Sequence, residues 1–130
     1  MKLYNVVAAV VCHDGKYLCM QKGKTKFEYT SYKWEFPGGK IEPGETPQQA
    51  LARELMEEME YPVEVGEELV TVNHEYPDFS ITMTAFLCTP KGDANGFKRR
   101  EHADSKWCSQ EELKGLDWAA ADVGVVGILL

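Results

Sequence analysis

Three glutamates stand close together in one short stretch of the chain, at the spacing of a helix face. Glu54 is three residues before Glu57 and four before Glu58, so on a helix all three are neighbours within one turn. The same stretch offers them one cation, Arg53, and no lysine at a compensating spacing. Partly desolvated carboxylates repel one another by about 4 kcal/mol at ~4 Å under an effective dielectric of ~20. Such a face is either fully solvated or neutralised by cations, and oxygen-only ligands suit Mg²⁺ or Mn²⁺.

The stretch that carries these glutamates has clear start and stop signals for a helix. Thr46 is an N-cap residue, Pro47 stands at the first helical position, and Gln49 completes a capping box. We therefore predict a helix from Pro47 to Met59 that stops before Pro62. Its buried face is predicted to be the apolar side formed by Leu51, Ala52, Leu55, Met56 and Met59.

A glycine-containing segment precedes the helix and brings further polar groups near it. The run Pro37-Gly38-Gly39-Lys40 is predicted to be a sharp loop, since glycine adopts backbone angles that other residues resist. This loop would place backbone carbonyls and the Lys40 side chain beside the start of the helix. Lys40 is a candidate phosphate contact as a point charge, or else a solvated loop lysine. Glu45, just before the cap, is within reach of Arg53 two turns further on.

The rest of the chain has the patterns of strands and two further helices. Strands are predicted at residues 6–12, 17–21, 34–36, 63–65, 69–74 and 79–87, and the first two form a hairpin. A capping box at Ser109 opens a short helix, and Asp122 is a candidate N-cap for a third helix from Val123 to the end. With no repeat and no linker, this order predicts an α/β fold in one domain over residues 1–130.

Composition narrows the classes of function. The 130 residues are 44% hydrophobic and 27% charged, with a formal net charge of -7. This acidity argues against a nucleic acid polymer as partner, because a protein that binds one needs a basic face. A phosphorylated small molecule is still compatible with it, since bound metal ions would offset the negative charge. The N-terminal apolar run has the pattern of a strand rather than a signal peptide. The apolar stretch at 123–130 is far shorter than the ~20 residues that cross a bilayer. We expect a cytoplasmic protein with no membrane segment, and the sequence carries no sign of its oligomeric state.

The cysteines and histidines lack the spacing of a metal site. The four cysteines form no CxxC pair and stand in apolar, strand-like surroundings, so we expect buried free thiols. His74 and His102 have no ligand spacing to another histidine, and we expect both to be ordinary surface or core polar residues.

Residues 39–58 resemble the Nudix box, whose pattern is G-x5-E-x7-R-E-U-x-E-E-x-G-U with U a bulky aliphatic residue. The pattern is matched at every spacing by Gly39, Glu45, Arg53, Glu54, Leu55, Glu57 and Glu58. Two positions depart from it, since Glu60 replaces the glycine and Tyr61 the aliphatic residue. Losing a C-cap glycine costs stability, so we expect Pro62 to end the helix instead. Residues 34–47 and 102–112 are similar to the MutT-like branch, the 8-oxo-dGTP diphosphatases and CTP pyrophosphohydrolases.

The resemblance implies a Nudix fold, an α/β/α sandwich around a mixed sheet. It implies hydrolysis of a nucleoside triphosphate to the monophosphate and pyrophosphate, in the service of nucleotide-pool sanitation. The implied ligands of Mg²⁺ or Mn²⁺ are the Gly38 carbonyl and the carboxylates of Glu54, Glu57, Glu58 and Glu101. Glu101 is implied as a metal ligand or a general base. Glu54 is the other candidate for the general base. Glu45 and Arg53 are implied as a pair that orients the metal-binding carboxylates.

The resemblance also suggests how a base is recognised. Tyr76 and Asp122 stand where the MutT-like branch has an aromatic residue that stacks on the base and an Asn or Asp that reads its polar edge. Each has a simpler interpretation, Tyr76 as an ordinary sheet aromatic and Asp122 as the N-cap. An ionised Asp122 accepts hydrogen bonds and cannot donate them. It would favour a base edge rich in N–H groups, which both cytosine and an oxidised guanine supply.

Two other functions are alternatives. One is a Nudix hydrolase of another nucleoside diphosphate derivative, such as ADP-ribose, a nucleotide sugar or a dinucleoside polyphosphate. The other is a non-catalytic nucleotide-binding module, against which the complete set of box carboxylates argues.

Overall fold

A mixed sheet of seven strands organises residues 2–130, the part of the chain that the computed structural model describes. The strands are β1 Lys2–His13, β2 Lys16–Lys22, β3 Trp34–Glu35, β4 Gly38–Lys40, β5 Val63–Glu75, β6 Phe79–Pro90 and β7 His102–Cys108. Their order is β3-β2-β1-β6-β5, with β4 paired to β1 and β7 paired to β2. β1 and β6 run parallel while β5 and β6 are antiparallel, so the sheet is mixed, as predicted.

Helices cover both faces of this sheet, and alternate side chains of β1 point into two apolar cores, one on each face. The helices are α1 Pro47–Met59, α2 Gln110–Leu113 and α3 Ala120–Leu129, with a 3₁₀ turn at Glu28–Thr30. Successive side chains of a strand point to opposite faces. Val7 and Val11 of β1 pack with α1, whereas Ala8 and Val10 pack with α3. The predicted α/β/α sandwich is therefore confirmed.

Helix α1 begins where its capping box predicts and ends in a different way from the one expected. The Thr46 hydroxyl accepts from the Gln49 N–H at 3.1 Å, and the Gln49 side chain accepts from the Thr46 N–H at 2.9 Å. The helix ends because Glu60 takes a left-handed conformation with φ of 48°. The Glu60 N–H donates to the Met56 carbonyl at 3.0 Å, as in the αL motif, and the Tyr61 N–H donates to the Leu55 carbonyl at 3.2 Å. The expectation that Pro62 ends the helix was wrong.

Three other local predictions need correction. The segments 63–65 and 69–74 are one strand, β5, since irregular pairing around Glu68 absorbs the intervening residues without breaking the ladder to β6. The expected loop at 37–40 is largely strand β4, which pairs with β1. Met56, expected in the core, is 47% exposed. Strand β7 was not predicted.

The third helix begins three residues earlier than predicted, at Ala120, with Ala119 at its N-cap position. Asp122 lies inside the first turn and is 5% exposed. Its carboxylate accepts from the Phe36 N–H at 3.0 Å. The interpretation of Asp122 as an N-cap was therefore wrong. No helix within residues 2–130 is both long and apolar enough to cross a membrane.

Candidate active site

Two glycines of β4 bring the backbone against β1 on one side and against α1 on the other. A Cβ on Gly38 would stand 1.9 Å from the Val7 carbonyl oxygen, so only glycine permits this strand pairing. A Cβ on Gly39 would stand 2.3 Å from the carboxylate of Glu54. The Glu54 carboxylate thus packs directly on the backbone of the glycine segment, which places the glycine segment and the acidic face of α1 in one site.

Arg53 organises the carboxylates around this contact. Its Nε and Nη2 donate to the two oxygens of Glu45 at 2.6 and 2.9 Å, a bidentate pair. Its Nη1 donates to Glu54 at 2.9 Å and to Glu57 at 3.1 Å. Nη2 also donates to the Lys40 carbonyl at 3.0 Å. The hydrogen bond from Arg53 lowers the pKa of Glu45 and keeps it ionised.

Two of the predicted metal-binding carboxylates, Glu58 and Glu101, line a cavity of about 270 Å³, whereas Glu54 and Glu57 are not in its lining. Glu35 and Gly38 also line it. Burial, and then the neighbouring carboxylate of Glu54, raise the pKa of Glu58 to about 8. Glu101 and Glu35 add to this rise through their charges. Without a cation nearby, this cluster therefore retains a proton that the same residues would lose in water.

These residues fit a hard divalent cation as donors. Within residues 2–130, no three side chains of His, Cys, Asp or Glu already stand where they would hold one ion together. Arg53 draws one oxygen of Glu54 and one of Glu57 toward itself, and each carboxylate has a second oxygen. All the candidate donors are oxygens, which Mg²⁺ and Mn²⁺ prefer. A positive charge here would relieve the repulsion that raises the pKa of Glu58.

A larger, more apolar cavity of about 810 Å³ adjoins the acidic one. All three residues predicted to bind substrate, Lys40, Tyr76 and Asp122, line it. The Lys40 ammonium lies 4.3 Å from the centre of the Tyr4 ring, a cation–π contact. Further aromatic rings in its lining belong to Phe27, Phe36 and Phe79.

Tyr76 lies directly after β5 and is buried in the aromatic wall of this cavity. Its ring stacks on Tyr29 with centroids 5.7 Å apart and contacts Phe79 at 4.9 Å. Its hydroxyl accepts from the Ala121 N–H at 3.1 Å. Tyr76 therefore connects the aromatic wall to the first turn of α3, next to Asp122.

The protonation state of Asp122 differs from the one assumed from the sequence. Burial, and then the charge of Glu35, raise its pKa to about 8. The folded chain therefore favours the neutral carboxylic acid here, which donates as well as accepts hydrogen bonds. The expectation of an ionised, acceptor-only Asp122 was wrong because the sequence does not reveal its burial.

Glu35 and His102 belong to the site, although the sequence pattern did not single them out. Oε2 of Glu35 and Nε2 of His102 are 3.0 Å apart, and Glu35 also faces the Lys22 ammonium at 3.5 Å. Glu35 lines both cavities. Among residues 2–130, Nδ1 of His102 is a buried nitrogen with no hydrogen-bond partner. A possible signal was a single acid between two aromatic residues, Trp34 and Phe36, in a short strand.

The chain belongs to the Nudix family, because the model of the NUDIX domain matches residues 3–125. It is 37% identical over 124 residues to the CTP pyrophosphohydrolase of Escherichia coli K12, covering 95% of this chain and 88% of that one. It is 41% identical over 88 residues to the 8-oxo-dGTP diphosphatase of Proteus vulgaris, covering 68% of this chain and 78% of that one. The family resemblance read from the box is confirmed.

Solved structures agree with this assignment. The ORF135 protein of E. coli superimposes with a TM-score of 0.78 at 35% identity, over 99% of this chain and 87% of that one. MutT from methicillin-resistant Staphylococcus aureus, a Nudix hydrolase, gives a TM-score of 0.75 at 37% identity, over 99% and 97% of the two chains. The chain is thus a Nudix hydrolase of the MutT-like kind in both sequence and fold.

Proposed function

We propose that residues 1–130 form one Nudix domain that hydrolyses a nucleoside triphosphate to the monophosphate and pyrophosphate. The observation that carries this proposal is that the two cavities are adjacent and share Lys22, Glu35 and Gly38 in their linings. If the phosphates bind at the acidic cavity, the attached nucleoside would lie in the aromatic cavity. The names of the E. coli and P. vulgaris relatives support a triphosphate substrate. We propose that this activity sanitises the nucleotide pool of the cytoplasm.

The residues that would hold Mg²⁺ or Mn²⁺ are the carboxylates of Glu54, Glu57, Glu58 and Glu101, with the Gly38 carbonyl. A bound divalent cation supplies charge that offsets the phosphate oxygens and lowers the pKa of an attacking water. Metal binding requires ionised carboxylates, so the proton on the Glu58 cluster must leave when a cation enters.

The role of Arg53 is to orient the carboxylates. Its bidentate contact with Glu45 fixes the guanidinium, which then fixes Glu54 and Glu57 by one hydrogen bond each. The proton of the attacking water passes to one of two candidate bases, Glu54 or Glu101.

Base recognition is assigned to the aromatic cavity and to Asp122. A neutral carboxyl group donates one hydrogen bond and accepts another, so it complements a base edge that presents an acceptor beside a donor. Cytosine presents N3 beside its amino group, and guanine presents O6 beside its N1–H. Tyr76 would hold the aromatic wall in place, and the Lys40 ammonium at the rim would contact a phosphate. Together with the names of the two relatives, this makes a cytidine triphosphate or 8-oxo-dGTP the proposed substrate.

A substrate panel tests the proposal. The chain is incubated with Mg²⁺ and, separately, CTP, dCTP, 5-methyl-dCTP, 8-oxo-dGTP, dGTP and ADP-ribose. Pyrophosphate and phosphate are detected for the triphosphates, and AMP with ribose 5-phosphate for ADP-ribose. Pyrophosphate released from a cytidine or 8-oxo-dGTP substrate is expected. Turnover of ADP-ribose alone would contradict the proposal and indicate another diphosphate derivative. Metal-dependent nucleotide binding without turnover would indicate a binding module.

One substitution ties the activity to the acidic face. Glu57→Gln removes a charge but keeps the shape of the side chain, and should lower kcat by about two orders of magnitude or more. Glu64→Gln makes the same chemical change on β5, outside the acidic face of α1, and is the matched control. Near-normal turnover by the Glu57 variant would remove Glu57 from the site.

A further inference from the structure

The segment that carries Glu101 is fastened to the C-terminal end of α1. This segment, residues 91–101, joins β6 to β7. The Lys98 N–H donates to the carbonyl of Met59 at 2.8 Å, and the Arg100 guanidinium donates to the carbonyl of Glu57 at 3.1 Å. Both acceptors belong to the last turn of the helix that bears the acidic face. The position of Glu101 is thus tied to the end of α1.

Glu60, the residue that replaces the glycine of the Nudix box, strengthens this connection. Its backbone has φ of 48°, a conformation that glycine adopts at no steric cost and other residues adopt with strain. Its carboxylate pairs with the Arg100 guanidinium, and with the Lys98 ammonium at 3.0 Å. A glycine here would relax the backbone but would leave both cations of the segment without this partner.

The residue on the other side of Glu101 is anchored to a different part of the site. His102 is the first residue of β7, its side chain is 5% exposed, and its Nε2 contacts the Glu35 carboxylate at 3.0 Å. Glu101 therefore stands between two residues that are held by different elements, Arg100 by the end of α1 and His102 by β3. Consecutive Cα atoms are ~3.8 Å apart, so fixing both neighbours confines the backbone of Glu101.

We propose that Glu60 and Arg100 form a positioning clamp that holds Glu101 against the acidic face of α1, with His102 as the anchor on the opposite side. This inference rests on the proposed function, because it takes Glu101 as a carboxylate of the metal site. Glu60 and Arg100 are positioning residues, since they act through Glu101 rather than on the substrate.

Glu60→Gly separates this role from a role in stability. A purely structural Glu60 predicts that glycine, the residue of the family pattern, keeps or raises Tm and leaves activity unchanged. The clamp predicts a Tm that is not lowered, together with a kcat about tenfold lower and a higher Mg²⁺ concentration for half-maximal activity, on the scale of losing a partner that orients a metal ligand. The nucleotide KM should change less than about twofold, since neither residue lines the aromatic cavity.

Three further variants complete the test. Arg100→Met should show at least the same losses, because it also removes the hydrogen bond to the Glu57 carbonyl. The double variant should lose much less than the product of the two single losses, because the Glu60–Arg100 pair is common to both. Arg99→Met is the matched control, since Arg99 contacts Ala103 and Asp104 instead of α1. Wild-type activity in Glu60→Gly, or losses that multiply in the double variant, would overturn the clamp.

Hydrogen exchange of the metal-free chain tests the clamp independently of catalytic turnover. Backbone amides of residues 98–103 should exchange about tenfold faster in Glu60→Gly and Arg100→Met than in the wild type and in Arg99→Met. Unchanged exchange would overturn the clamp even if activity falls. If the wild type hydrolyses no triphosphate but this exchange increases as expected, the proposed function fails and the clamp stands.

Discussion

Replacing Gly39 with alanine should abolish most activity while leaving the fold nearly unchanged. The added Cβ would stand 2.3 Å from the Glu54 carboxylate, whereas ordinary contacts begin at 3.4 Å, so the carboxylate must retreat by about 1 Å (3.4 − 2.3 = 1.1). That carboxylate is the end of a flexible side chain and can move. A misplacement of ~1 Å at a reacting centre can lower a rate by about 10²-fold, and we expect a loss of kcat on this scale.

Gly38→Ala is the contrasting variant, because its clash is with backbone. The Cβ would stand 1.9 Å from the Val7 carbonyl oxygen, which is fixed in the β1–β4 pairing. Relieving this clash means separating the two strands, at a cost of roughly 3 kcal/mol or more. For a domain of this size that lowers Tm by about 10 °C. Gly39→Ala should instead keep Tm within a few degrees of the wild type, because its φ lies outside the left-handed region.

The assay pairs thermal unfolding with steady-state kinetics on both variants, using the best substrate of the panel. The expected pattern is an inactive but stable Gly39 variant and an unstable Gly38 variant. Near-normal kcat in Gly39→Ala would refute the placement of Glu54 at the reacting centre. Equal Tm losses in the two variants would refute the distinction between the two clashes.

Two further predictions concern stability. Asp122→Asn should weaken the pH dependence of the free energy of unfolding. The pKa of Asp122 rises from 3.8 to about 8 on folding, so the folded wild type holds a proton that the unfolded chain releases. The wild type therefore loses stability as the pH rises from about 4 through 8. Urea unfolding from pH 5 to 9 checks this, and parallel pH profiles for the two chains would contradict it. Thr46→Ala removes the hydroxyl that accepts from the Gln49 N–H and should lower the free energy of unfolding by about 1 kcal/mol. A thermal midpoint equal to that of the wild type would show that this cap contributes nothing.

The parts of the fold that the sequence predicts well depend on interactions between near neighbours. Helix α1 has the predicted bounds, Pro47–Met59, because its capping box and its apolar face are local in sequence. The Glu45–Arg53 contact was also within reach of prediction, since both residues flank the first two turns of the same helix. The approach of β4 to β1 was not, because Gly38 pairs with a strand far earlier in the chain.

The properties of the candidate site that were missed all depend on distant partners. The raised pKa of Asp122 results from its burial and from the charge of Glu35, which lies on a strand far earlier in the chain. The link between Glu35 and His102 spans 67 positions. The departure at Glu60 suggested a weaker helix end, whereas its carboxylate contacts Arg100 in a segment whose course the sequence pattern does not reveal. Local patterns therefore identified the acidic face but not the contacts that set its geometry and protonation.

A calorimetric titration of the chain with Mg²⁺, with and without a non-hydrolysable nucleoside triphosphate, tests the central claim most directly. The acidic cavity should take up the cation at millimolar concentrations or below, more tightly with the nucleotide present, and should release protons from the Glu58 cluster as it does so. Glu57→Gln should weaken this uptake, and Glu64→Gln should not. If the wild-type chain binds no divalent cation under either condition, the proposed chemistry is contradicted.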